Sequence, residues 1–250
     1  MSPLLEIRDV AKAFGGVRAL AGVRFAMGEG ELRCIIGPNG CGKTTLFNVV
    51  TGAFPPTAGR VYFRGADITG LRPHEISRLG IGRKFQVPGI YPTLTVGENL
   101  EIPLSATAGR HGPIGVLRRG AAASDLHGLL DRFGLARDAA VPAGALAHGQ
   151  KQWLEIAMLL AGNARLLLLD EPTAGMTGPE TLATADLILR IRAETGVAVL
   201  IIEHDMNFVQ SLGCPVVVMM RGAVFREGSF EEIQRDPTVR EAYLGGAASC

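Results

Sequence analysis

The stretch GPNGCGKTT, residues 37–45, carries the densest chemistry in the chain. Gly37, Gly42, Lys43 and Thr44 fit G-x-x-x-x-G-K-[ST], the spacing of a loop that wraps phosphate. In such a loop backbone N–H groups surround the phosphate oxygens, the lysine reaches the β- and γ-phosphates, and the hydroxyl binds Mg²⁺. Pro38, Asn39, Gly40, Cys41 and Thr45 complete the cradle. A glycine turn with a chance lysine would match the same letters. Here ELRCII before the loop reads as a strand and KTTLFNVV after it as a helix, the context a nucleotide site requires. Cys41 lies beside Lys43 and a helix start, where positive potential favours thiolate, so the sequence predicts a reactive thiol.

A second acidic element, RLLLLDEPTAG, spans residues 165–175. Its leucines predict a buried strand that delivers Asp170 to the carboxyl edge of a parallel sheet, where ligands of open α/β folds sit. There Asp170 can hold Mg²⁺ through water, and Glu171 can polarise the water that attacks a γ-phosphate. Alone, Glu171 would read as a helix-start acid facing solvent; behind four leucines and an Asp it reads as part of the site. Gln86, in IGRKFQVPG, offers an amide to Mg²⁺ or to the attacking water. His204, in VLIIEHD, leaves the next strand at the same edge and can hydrogen-bond the γ-phosphate. Lys43, Gln86, Glu171 and His204 are therefore the candidate catalytic set, and Thr44, Gln86 and Asp170 the candidate metal ligands. His74, His111 and His127 fall on surface segments and are assigned no chemistry.

HGQKQWLEIAMLL, residues 148–160, starts an apolar helix behind a glycine and an amide. A helix N-terminus presents unpaired N–H groups and about half a positive charge, a ready anion site. The chain has no second phosphate loop to supply that anion.

Holding these groups together takes a layered α/β framework. LLEIRDV, GVRFAMG, ELRCIIG and GRVYFRG read as short strands in the first sixty-odd residues. LRPHEISRLG reads as a short amphipathic helix with Pro73 near its start and Gly80 just past its end. From Pro88 to Gly162 the periods are helical (TVGENLEIPL, AAASDLHGLLDRFGL, GQKQWLEIAMLLAG), and no strand pattern interrupts them. SATAGRHGPIGVLRRG, residues 105–120, is glycine-rich and basic and reads as a surface loop. Beyond it RLLLLD, VAVLIIE and CPVVVMM alternate with helical segments, the pattern of a parallel sheet covered on both faces. SFEEIQRD opens with a capping box, Ser229 and Glu232, and the tail GGAASC is of low complexity.

At 250 residues the chain can bury a large core. A formal net charge of +1 gives no reason to expect a nucleic-acid or anionic-membrane surface. Cys34, Cys41, Cys214 and Cys250 have no metal spacing and read as reduced thiols. The start MSPLLEIRDV lacks a basic region and a long apolar core, so no secretory signal is expected. VAVLII and PVVVMM fall far short of the roughly 20 residues of a membrane span.

Taken in order, Phe14, GPNGCGKTT, Gln86, LAHGQ (146–150), LLLLDE and His204 resemble the ATP-binding subunits of ABC transporters over nearly the whole chain. The resemblance implies Phe14 stacking on adenine, residues 37–45 as the Walker A loop and Gln86 as the Q-loop. It makes Ala147, His148, Gly149 and Gln150 the signature residues at ATP, LLLLDE the Walker B strand and His204 the switch histidine. ATP and Mg²⁺ are the implied cofactors. The implied fold is one ABC ATPase domain over residues 1–250, a P-loop NTPase (RecA-like) α/β core with an N-terminal antiparallel β portion. Residues 1–87 and 163–250 would form that core, and 88–162 an inserted helical subdomain. Members work as dimers, so a second ATPase subunit, identical or different, is implied. The signature helix of each points at the γ-phosphate on the other, which supplies the anion for the helix at 148. The other implied partners are membrane-spanning permease subunits and, through them, a periplasmic or extracellular solute-binding protein; nucleic acid is not among them. The chain would sit peripherally on the cytoplasmic face of the inner (plasma) membrane.

Within that family IGRKFQVPGIYPTLTVGENLE, HGQKQWLEIAMLL, DEPTAGMT and IEHDMNFV look like the urea-transporter ATPase subunit, a branch of the branched-chain amino acid importer group. Urea is the solute this implies, with a branched-chain amino acid or another small polar solute as the alternative. VPGIYPTLTVGENL would receive a permease helix, unless Ile90, Tyr91 and Leu94 pack inward instead. Two positions depart from the family pattern. Ala147 stands where a serine hydroxyl is usual, and Thr177 where the D-loop usually has Asp. Both bear on the ATP site the chain would complete for its partner. A soluble P-loop kinase or GTPase is the reading from another class, but no Asn-Lys-x-Asp guanine motif occurs. A non-transport ABC ATPase would bring a long coiled-coil insert or a second cassette, and one Walker A in 250 residues offers neither.

Overall fold

The computed structural model describes residues 2–84, 89–108 and 119–244. In chain order the strands are β1 (Leu5–Phe14), β2 (Val17–Met27), β3 (Leu32–Ile36), β4 (Ala58–Phe63), β5 (Ala66–Asp67), β6 (Ile81–Lys84), β7 (Leu166–Asp170), β8 (Ala198–Ile202), β9 (Val216–Met220) and β10 (Ala223–Gly228). The helices are α1 (Lys43–Val50), α2 (Pro73–Leu79), α3 (Val96–Ala108), α4 (Arg119–Arg132), α5 (His148–Ala161), α6 (Gly178–Thr195), α7 (Met206–Leu212), α8 (Phe230–Arg235) and α9 (Pro237–Leu244).

Two sheets divide the strands. β1 pairs antiparallel with β2 and β4, in the order β2-β1-β4-β5. The second sheet runs β10-β9-β3-β8-β7-β6, with β3, β6, β7, β8 and β9 parallel and β10 turned back on β9. The parallel strands β3, β7, β8 and β9 are largely apolar because both faces are covered, whereas β6 carries Arg83 and Lys84. Cys34, Ile36, Leu167, Leu169, Val199, Ile201, Val216 and Val218 face one core, with α5, α6 and α7. Ile35, Leu166, Leu168, Leu200, Ile202, Val217 and Met219 face the other, with α1 and the first sheet. Each fully buried leucine contributes about 1.5–3 kcal/mol, and β7 is buried from end to end. That anchors Asp170 at the strand's exit.

Between β6 and β7 the described elements are helical: α3, α4, α5 and two short 3₁₀ turns, with one isolated bridge, Thr95 to Pro142. Residues 105–120 are not simply a loop. α3 runs on to Ala108 and α4 begins at Arg119, while 109–118 lie outside the described residues. Glycines and arginines obscured the periodicity there. The turn and caps expected elsewhere are present. Gly80 ends α2 with φ 108°, and Ser229 and Glu232 exchange side-chain-to-backbone hydrogen bonds at α8. Trp153 on α5 donates its indole N–H to the Thr184 hydroxyl on α6 at 2.9 Å, docking the helical segment on the core. Among the described residues no helix is long and apolar enough to cross a membrane.

Candidate functional site

β3 ends at Ile36 and the chain turns at once into the phosphate loop. Gly37 has φ 155°, and a Cβ there would sit 2.2 Å from the Met219 carbonyl oxygen; Gly42 has φ 105°, and its Cβ would sit 2.5 Å from the Ala19 carbonyl oxygen. Both glycines are thus required by close backbone approach as well as by conformation. The β9–β10 turn braces the loop: Gly222 donates its N–H to the Cys41 carbonyl, and its own carbonyl accepts from Ala21. Pro38, Asn39 and Gly40 are exposed, as is Thr44 on the first turn of α1, while Thr45 is half-buried. The Lys43 ammonium folds back to donate to the Gly37 carbonyl at 2.6 Å and the Pro38 carbonyl at 3.2 Å. These carbonyls hold the cation within the loop.

The Cys41 thiol does not behave as the sequence predicts. It is buried, and that burial pushes its pKa up by more than the Lys43 charge pulls it down. Proximity in sequence to a lysine said nothing about access to water.

On the facing strand end Asp170 is buried, with Oδ2 3.2 Å from the Arg83 guanidinium. Burial raises the Asp170 carboxyl pKa and Arg83 opposes it. Arg83 also donates to Asn48 Oδ1 on α1 at 2.5 Å, joining the acidic strand to the helix behind the phosphate loop. Removing Arg83 would strip a buried carboxylate of its ion-pair partner, a cost of about 3–5 kcal/mol. Asp170 Oδ1 is buried and has no hydrogen-bond partner among the described residues. An anionic oxygen so placed suits a divalent cation, and the exposed Thr44 hydroxyl is of the same hard-oxygen type. Lys84, 0% exposed, lies beside this group. Burial lowers its pKa, opposed first by Glu155 and then by Asp170, Glu203 and Glu171.

Glu171 takes φ 48°, a left-handed conformation costing about 1–3 kcal/mol in a non-glycine residue and characteristic of functional sites. It is held by its N–H donating to the Ile202 carbonyl at 2.9 Å. This turn brings the Glu171 carboxylate to 3.6 Å from Nδ1 of His204, whose side chain is 64% exposed. The structure therefore gathers Glu171 and His204, and sets both at the carboxyl edge shared by β3, β7 and β8. Gln86 lies outside the described residues, two past the end of β6.

Phe14 closes β1, half-exposed, edge-on to Phe54 with ring centroids 5.3 Å apart. Lys12 holds its ammonium 5.0 Å from the Phe14 ring centre. The signature residues sit at the start of α5, Ala147 and His148 exposed, Gln150 half-buried and Gly149 buried. Gln150 Oε1 accepts the Ala147 N–H at 3.1 Å and its amide nitrogen donates to Asp138 at 2.9 Å, so that side chain is occupied within the chain. His148 Nε2 lies 3.0 Å from the Ala174 carbonyl oxygen and 3.3 Å from the Gln152 amide nitrogen, so the ring is engaged within the chain. Thr177, at the departure from the D-loop pattern, caps α6: its N–H and hydroxyl both donate to Glu180 at 2.8 Å.

Sequence reading missed Arg83, Lys84 and Glu203. The signal was available: charged residues inside or ending short apolar strands (IGRK, VLIIE) are rarely buried unless they are paired.

The strand–loop–helix cradle, facing an acidic strand end across one sheet edge, makes this a P-loop ATPase by fold and by site. Two family models match the chain: ABC transporter over residues 20–174, and the branched-chain amino acid ATP-binding cassette transporter over 227–249. It is 38% identical to the high-affinity branched-chain amino acid transport ATP-binding protein BraF of Pseudomonas aeruginosa, covering 98% of this chain and 99% of that protein. It is 34% identical to LivG of Escherichia coli, a protein described in the same terms, with the same coverage of 98% and 99%. The fold matches the ADP conformation of MJ1267, an ATP-binding cassette of an ABC transporter, with a TM-score of 0.84 and 31% identity over 98% of this chain and 100% of that one. The chain belongs to the ABC transporter family, as an ATP-binding subunit of the branched-chain amino acid importer type. Its activity is ATP hydrolysis coupled to transport.

Proposed function

We propose that the chain binds ATP with Mg²⁺ at residues 37–45 and hydrolyses it as the motor of a solute importer. The observation that carries the reading is the convergence at one sheet edge of the Lys43 loop, the unpaired Asp170 oxygen and the Glu171–His204 pair. In this reading Lys43 leaves its carbonyls for the β- and γ-phosphates. Thr44 and Asp170, with Gln86, would hold Mg²⁺ together with phosphate and water, the metal neutralising charge on the phosphates. Glu171 polarises the attacking water and His204 hydrogen-bonds the γ-phosphate. Phe14 stacks on adenine. Ala147, His148 and Gly149 offer the α5 N-terminus to the ATP of a second ATPase subunit. Residues 88–162 serve as the helical subdomain of a core made from 1–87 and 163–250.

For the solute, the relatives favour a branched-chain amino acid, since those matched over nearly their whole length carry that description. Urea is the second reading, favoured by the windows at 81–101, 148–160, 170–177 and 202–209. Membrane subunits would dock beside Tyr91. A cavity of about 320 Å³ opens there among Ile81, Gly89, Ile102, Pro103 and Met158, and Tyr91 is 50% exposed. Ile90 and Leu94 instead pack inward in part, and Asn99 knots the loop through the Tyr91 N–H and carbonyl. Docking would hold the chain on the inner membrane face.

The test is uptake of labelled leucine and of labelled urea in a strain lacking this chain. Restored leucine uptake alone supports the leading reading, and restored urea uptake alone selects the second. Restoration of neither, with ATPase intact, would overturn both solutes. Tyr91→Glu should abolish uptake while the ATPase of the isolated subunit survives.

A further inference from the structure

Glu203 follows the last residue of β8 and is 1% exposed. A carboxylate buried this deeply requires hydrogen-bond partners. They come from two sides. Thr173, three residues past Asp170, donates its backbone N–H and its hydroxyl to Oε1, at 3.2 and 2.6 Å. On the other side the backbone N–H groups of His204 and Asp205 donate to Oε2, at 2.9 and 3.4 Å. The buried Lys84 ammonium adds positive charge nearby.

One oxygen thus grips the segment that carries Glu171, and the other grips the segment that carries His204. The His204 side chain is largely exposed, and its Nδ1 also lies 3.7 Å from Glu203 Oε2. The next residue, Asp205, is committed to α7, accepting the N–H groups of Asn207 and Phe208. The angle at which the chain leaves β8 for α7 is therefore set at Glu203, and that angle aims the imidazole at Glu171, 3.6 Å away.

We propose that Glu203 is a positioning residue of the ATPase site: its carboxylate fixes the His204 backbone against the Thr173 backbone, so that Glu171 and His204 meet at the same phosphate. The proposal rests on the roles given to Glu171 and His204 under Proposed function. It involves no titration of Glu203 and no contact of Glu203 with nucleotide.

The test is a double-mutant cycle in ATPase kinetics on the full-length chain. Glu203→Gln keeps the shape and an acceptor for Thr173 but turns an N–H₂ toward the His204 and Asp205 N–H groups. It should lower kcat on the order of 10²-fold, the usual effect of a small misplacement at a reacting centre, with KM for ATP unchanged. In a His204→Ala background the same substitution should have no further effect on kcat. An equal loss in both backgrounds, a loss expressed in KM, or no loss at all would overturn the proposal. Should Glu203→Gln fail to fold, Thr173→Val removes one donor, keeps the side-chain shape, and carries the same cycle with a smaller expected loss. If His204→Ala itself leaves kcat unchanged, the role given to His204 fails and this proposal fails with it. If His204→Ala lowers kcat but the losses add, only the role of Glu203 is lost.

Discussion

The loop at 37–45 and the helix start at 147–150 are both glycine-containing N-termini suited to an anion, yet they are built differently. At the loop, a lysine waits on its own carbonyls, an exposed threonine stands beside it, and Arg83 ties α1 to the acidic strand. At α5 the polar side chains are turned inward on the chain: Gln150 to Ala147 and Asp138, His148 to Ala174. Ala147 has no side-chain acceptor or donor. The first end brings charge, candidate metal ligands and a candidate base; the second brings backbone N–H groups and the helix dipole. A helix end of the second kind offers an anion its N–H groups and dipole but no charged side chain beside them, so it suits a phosphate that another subunit already holds. That is a physical reason for such a subunit to work in pairs.

Glu171→Gln makes the sharpest cut into this contrast. If the loop side carries the chemistry, turnover should fall by roughly 10²–10⁴ while ATP still binds, measured by steady-state hydrolysis and equilibrium binding. Wild-type turnover in this variant would remove Glu171 from the chemistry. Lys43→Ala should act on binding instead. Loss of charged contacts to phosphate, each worth about 1.5–3 kcal/mol, should weaken ATP affinity by roughly 10²-fold in a titration. Affinity within a factor of two of wild type would mean that the backbone alone holds the nucleotide.

Ala147→Ser sharpens the contrast from the other end. Returning a hydroxyl to the helix start adds about 1.5–3 kcal/mol, roughly ten- to a hundredfold, at the partner's site, and less if water already fills the place. It should be read with this chain's own site silenced by Glu171→Gln; no gain would make Ala147 neutral. The smallest effect concerns Cys41. Because burial raises its pKa, the thiol should alkylate more slowly in the native chain than in denaturant, as read by peptide mass mapping. Equal rates would restore the reactive thiolate that its neighbours in sequence suggested.

Much of the framework is legible in the sequence. Strands such as RLLLLD and CPVVVMM announce themselves because burial on both faces demands unbroken apolar runs. Gly80 and the Ser229–Glu232 box mark helix ends because their chemistry is local. β10 went unread: AVFREG mixes charge with apolar residues at a sheet edge, where only one neighbour, β9, pairs with it. The extent of α3 and α4 went unread because glycine and arginine hide a helical period.

The candidate site divides in the same way. Lys43, Thr44, Asp170 and Glu171 were legible because a phosphate loop and an acid after an apolar strand are patterns of neighbours along the chain. What the tertiary structure alone decided are the relations across it. Arg83 lies 87 positions from the Asp170 it neutralises, and Glu203 lies 30 from the Thr173 it accepts. The Cys41 pKa goes up because of what packs on it, against the expectation drawn from Lys43 two positions away. Local conformation depends on residues within a turn or two, so sequence determines it. Burial, and the ion pairs burial requires, depend on which distant segments the sheet brings together, and that is settled only when the chain is folded.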